Sequence, residues 1–161
     1  MTLYAVRPVA PDAVSDADED GPQPEVVFQH EYGWKFLDHA ITLWRLVDRQ
    51  RADDLEAIRT RAQFADPDGW PRFEPAEVAA IARLLTGLDK AIVTAGLVDA
   101  DWRAPLERLE ALAPRVPAMN LDPTRPRGDR EMALAEVMGN AVLVRNFFIN
   151  ASRAGCAVIL G

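Results

Sequence analysis

EMALAEVMGNAVLVRNFFINASRAG, residues 131 to 155, is the stretch on which the fold turns. At about 100° per residue its apolar side chains occupy almost the whole circumference of a helix. The pattern predicts a helix in the middle of a bundle rather than on its surface. Gly155 is placed to end it, and CAVIL, residues 156 to 160, predicts a short strand. LYAVRPV, residues 3 to 9, predicts a second strand, with Pro8 marking an edge or an end. Two strands too short to stand alone pair most economically with each other. The expected fold is mostly α, of the α+β class: one domain over 1–161, a bundle of five or six helices, and a minor sheet joining 3–7 to 156–160.

The remaining helices follow from period and caps. In YGWKFLDHAITLWRLVDRQR, Trp34, Leu37, Ala40, Ile41, Trp44 and Val47 share a broad apolar face. Lys35, Asp38, Thr42, Arg45 and Arg49 form the opposite stripe. Asp53 or Asp54 is read as the cap of a further segment, LEAIRTRAQF. FEPAEVAAIARLLTG carries Glu74 and Pro75 at its start and Gly87 at its end, with Val78, Ile81, Ala82 and Leu85 as its buried stripe. LDKAIVTAG follows as a shorter helix, and Asp101 is expected to cap WRAPLERLEAL. Between these lie two irregular stretches: an acidic loop at 11–24, expected to be mobile, and a proline-rich excursion at 113–129.

Composition narrows the function. A hydrophobic fraction of 49% beside 27% charged residues is that of a folded, soluble chain. The net charge of −7 argues against a phosphate backbone as the main partner and leaves open a basic protein. No unbroken apolar run reaches the roughly 20 residues of a membrane span. MTLYAVRPVAP lacks the pattern of a secretory signal, and a single cysteine allows no internal disulfide, so the cytoplasm is the expected compartment.

No residue set carries a catalytic signature. Neighbours on a helix point about 100° apart, so Asp38 and His39 are not an acid–base pair, and His39 is expected as a solvated rim residue. His30 and His39 are nine apart, a spacing that suits neither arm of a zinc site. Asp16, Asp18 and Asp20 before Gly21 begin like a calcium loop, but Val27 stands where a bidentate glutamate belongs. No metal or other cofactor is therefore expected. Cys156, among apolar residues, is expected as buried filling. Asn140 and Asn146, with Glu136 nearby, are polar residues on an otherwise apolar helix, and buried amides need partners. They mark an expected small pocket facing 113–129 near Trp102. An acidic face for a partner is expected at Asp16, Asp18 and Asp20, or at Asp53, Asp54 and Glu56.

Three segments, YGWKFLDHAITLW, FEPAEVAAIARLLTGL and FFINASRAGCAVILG, resemble the YfbM-like family of small bacterial proteins, whose function is unassigned. The family's Leu-Asp-Lys-Ala-Trp motif falls on Leu37, Asp38, His39, Ala40 and Ile41, so its lysine and tryptophan are both replaced. The resemblance implies an α+β fold with joined termini and carries over no catalytic residue. The expected function is a non-enzymatic, cytoplasmic protein-binding module, most concretely an immunity- or inhibitor-type protein that neutralises a toxin. The alternative is a small-molecule-binding protein or enzyme using the pocket beside the C-terminal helix.

Overall fold

The structure, a computed structural model, describes residues 1–7, 25–64, 70–98 and 124–161. Its elements in chain order are β1 (Leu3–Arg7), β2 (Glu25–His30), α1 (Gly33–Val47), α2 (Arg49–Phe64), β3 (Arg72–Phe73), α3 (Pro75–Leu85), α4 (Leu88–Thr94), α5 (Arg127–Arg153) and β4 (Ala157–Leu160). Among the described residues 66% are helical. The class is α+β, as expected. Four helices of 11 residues or more carry the bundle. Among the described residues this falls short of the expected five or six; the further helical segment there, α4, is only 7 residues long. The helix expected over 102–112 lies outside the described residues, as do the loop at 11–24 and most of the excursion at 113–129.

The sheet is antiparallel throughout, in the order β2-β1-β4-β3. The expected pairing of the chain's two ends is present, with Leu3 opposite Leu160 and Ala5 opposite Val158. Two further hydrogen bonds close it: Thr2 N donates to Gly161 O at 2.7 Å and Gly161 N to Thr2 O at 3.0 Å. The sequence reading missed β2 and β3. β2 is an edge strand exposed at four of its positions, so no alternation marks it, and β3 has only 2 residues. One face of the sheet, carrying Leu3, Ala5, Phe73, Val158 and Leu160, is buried in the hydrophobic core with Leu37, Ile41, Ile81, Leu85, Val144 and Phe148. Cys156 is fully buried there, and burial raises its thiol pKa, which suits a packing role.

Local signals explain most helix ends. α3 opens with a capping box in which the Glu74 and Glu77 side chains and backbones bond reciprocally, with Pro75 in the first turn. Gly87 (φ 82°) and Gly155 (φ 66°) take the left-handed conformation that ends α3 and α5. Two boundaries differ from expectation. The cap of α2 is Asp48, not Asp53 or Asp54: its backbone is extended, and its Oδ1 accepts from Arg51 N at 3.3 Å. α5 begins at Arg127, four residues before the apolar pattern: Pro126, which a helix accepts only at its start, is the N-cap, and Arg127 pairs with Glu131 at 2.9 Å. Nor is α5 enclosed. It buries Leu134, Met138, Ala141, Val144, Phe148 and Ala151, while Met132 and Leu143 stay 72% and 52% exposed. α5 is also long and apolar enough to cross a membrane by length and composition, a test that a core helix passes equally and that unbroken apolar runs had not suggested.

α1 meets the sheet through Gly33. A Cβ there would lie 2.6 Å from Leu3 Cδ1 and 2.7 Å from its Cγ, and Leu3 is fully buried and held between β2 and β4. Helix propensity alone favours alanine over glycine by about 1 kcal/mol. Overpacking decides the sign instead: Gly33→Ala is expected to lower stability by about 1–3 kcal/mol in urea denaturation.

Candidate functional site

α5 has three differently used flanks. The first is the core face just described. The second is a polar seam against α1, where Asn140, 8% exposed, brings Nδ2 to 3.4 Å from Nδ1 of His39. Burial, helped by the Lys35 charge, lowers the His39 pKa; Glu136 on α5 pulls weakly the other way. His39 is thus half-buried rather than solvated. Its ring lies parallel to Phe36 at 6.1 Å, while His30 meets the same Phe36 edge-on at 5.1 Å and Phe147 at 5.9 Å. Both histidines of the chain therefore flank one phenylalanine, brought together by β2, the strand the sequence had hidden. No group of three or more His, Cys, Asp or Glu side chains able to hold a metal occurs among the described residues. The seam is a packed, hydrogen-bonded contact with an aromatic rim.

The third flank is left uncovered by the described residues. Ala135, Met138, Gly139, Val142 and Leu143 line a groove of about 470 Å³, almost wholly apolar. Met132 stands exposed one turn ahead of it. Glu136 is exposed on the same half of the helix and makes no ion pair among the described residues.

The expected pocket faces 113–123 and Trp102, which lie outside the described residues, and its two amides are placed apart. Asn140 is buried in the seam, but Asn146 is exposed and accepts from the guanidinium of Arg145 at 3.2 Å. Six residues at about 100° each carry the two amides to well-separated directions on the helix. Glu136 is exposed, and Trp102 lies outside the described residues. Of the expected acidic face, Asp16, Asp18 and Asp20 also lie outside them. Asp53 and Asp54 are exposed, with Arg49 at 3.8 Å and Gln50 at 2.9 Å respectively. Glu56 is engaged twice, by Arg45 and Arg59, each at 2.9 Å. Arg59 also reaches Asp38 at 2.9 Å and lies 5.0 Å over the Trp34 ring. Burial raises the Asp38 pKa in spite of Arg59. This network ties α2 to α1 and leaves Glu56 little charge to offer a partner.

Comparisons with protein-family models, with curated proteins and with solved structures return no match.

The seam makes a pH prediction. The folded state lowers the His39 pKa below the unfolded value of 6.5, so above that value both states are neutral there and nothing is lost. As pH falls below 6.5 the unfolded chain takes up the proton first, and stability drops until the folded pKa is passed. Asp38, raised in the fold, acts oppositely and only toward the acidic carboxylate range. The loss of stability between pH 7.5 and 5.5 in urea titrations is therefore expected to shrink in His39→Gln, which keeps a polar partner for Asn140 but cannot titrate.

Proposed function

We propose that the protein is a non-enzymatic protein-binding module, and that a basic partner docks an amphipathic helix on the open flank of α5. The observation that carries this is the exposure of Met132 and Leu143 beside an apolar groove on a helix whose other face is buried in the core. A contiguous apolar surface on a folded domain is the usual mark of an interaction site. An apolar groove along a helix suits a partner helix read at i, i+3, i+4 and i+7. Charge supplies the sign of the partner: the chain carries −7, and Glu136 beside the groove has no ion pair among the described residues. An immunity- or inhibitor-type role, with the partner a toxin and the cytoplasm its compartment, is the most concrete form of this reading. The resemblance to the YfbM-like family belongs with it and brings no catalytic residue. A small molecule held beside the C-terminal helix is the weaker reading, since Asn140 and Asn146 do not converge.

The test uses extract of the native cell. Wild-type protein is expected to retain one stoichiometric partner that salt loosens. Leu143→Lys, at an exposed position, is expected to weaken retention about tenfold or more, and Glu136→Lys to weaken it mainly at low salt. Asp53→Asn with Asp54→Asn is expected to leave it unchanged. Retention that survives Leu143→Lys, or that only the aspartate pair abolishes, overturns the α5 reading. Binding of the purified protein to anionic vesicles in place of a protein partner overturns it as well.

A further inference from the structure

A second concavity lies between the end of α1, the start of α2 and the α3–α4 connection, and shares no residue with the α5 groove. It measures about 520 Å³. Trp44, Val47, Ala91 and Ala95 give it an apolar bed; Asp48, Arg51, Thr86, Lys90 and Thr94 supply its polar groups. That size and mixture, apolar walls with a few convergent polar atoms, is the usual make-up of a small-molecule site.

The guanidinium of Arg51 is held in place before any ligand arrives. It lies 4.7 Å over the Trp44 ring, Nη1 donates to Thr86 O at 3.1 Å, and Nε faces Asp48 Oδ2 at 3.4 Å. One of its five N–H donors is hydrogen-bonded and a second faces the Asp48 carboxylate, which leaves three. Lys90, exposed on α4, makes no ion pair among the described residues and brings a second cation to the rim. Trp44 is 2% exposed, yet its indole Nε1 finds no acceptor among the described residues. Buried donors left in this way are rare and call for an explanation. Arg51 and Lys90 against Asp48 leave the lining with one net positive charge, so it matches a monoanion better than a dianion. A fixed guanidinium fork suits the two coplanar oxygens of a carboxylate.

We propose that this groove binds a small monoanionic carboxylate with an apolar, ring-sized body. The carboxylate sits between Arg51 and Lys90, and the body rests on Val47, Ala91 and Ala95. Asp48 holds Arg51 in position and repels a second negative charge.

3-Phenylpropionate is the probe, titrated into the full chain and followed by amide and indole N–H resonances. Saturable shifts are expected at Thr86, Gly87, Lys90, Thr94 and the Trp44 indole, in the millimolar range typical of a fragment. Phenethylamine and inorganic phosphate are the comparison arms and are expected to leave these signals in place. Lys90→Met, at an exposed position, is expected to weaken binding about tenfold. Arg51→Lys keeps the charge and loses the fork, and is expected to weaken it as well; should that variant unfold, Lys90→Met decides alone. No saturable shift up to about 20 mM overturns the proposal. So does an equal response to phenethylamine, a response to phosphate in place of the carboxylate, or unchanged affinity in Lys90→Met.

Discussion

The antiparallel ladder between residues 3 and 160 is the constraint on which the other elements rest. It joins strands 5 and 4 residues long that would not persist alone, so its stability comes from what covers it. Leu3, Ala5, Val158 and Leu160 point into one core with the buried faces of α1, α3 and α5. Closing so long a loop costs chain entropy before any contact is gained, and local helices offset part of that cost by presenting their apolar faces together. The close approach of Gly33 to Leu3 shows how little room the arrangement leaves: the first residue of α1 must lack a side chain for the strand to lie where it does.

Features written locally were legible in the sequence. The α3 start, with Glu74 and Pro75 in order, and the glycines at 87 and 155 are chemistry within a few residues, and each marked its boundary correctly. The terminal strands were legible because they are short apolar runs with stops beside them. Asp48 was not, because Arg49, Gln50 and Arg51 give the first turn of α2 no apolar residue to start a periodic pattern. Along α5 the apolar residues go nearly all round, and composition cannot say which side the rest of the chain covers. Only packing separates the buried Val144 and Phe148 from the exposed Leu143.

The candidate sites show the same division more sharply. Asn140 was singled out for the right reason, a polar residue that burial obliges to find a partner. Its partner, His39, is 101 residues away, and no spacing rule connects them. Pairing Asn140 with Asn146 failed on helical geometry that the sequence already contained, since six positions do not return to the same face. The groove at Arg51 and Lys90 was invisible for another reason. Its wall is assembled from Trp44, Arg51, Thr86 and Lys90 on four separate elements or turns, and each residue alone reads as ordinary surface or core.

Net charge is a poor guide to where this molecule would be gripped. Glu56, Asp38 and Glu77 are engaged by Arg45, Arg59 and Arg61, and they fasten α2 to α1 and α3. These pairs are partly buried, with Arg59 and Glu77 the most enclosed, and they cancel the local field that a partner would feel. What remains of the −7 acts at a distance, where it raises encounter rates with cations and is screened within about 8 Å at physiological salt. Lasting affinity has to come from desolvated area, and the described surface offers that on the open flank of α5 and on the bed of the Trp44 groove. The first is almost wholly apolar and suits the apolar face of an amphipathic helix. The second has a fixed guanidinium and suits something small and charged. The seam of His39 and Asn140 joins α1, which supplies Trp44 to one surface, to α5, which carries the other.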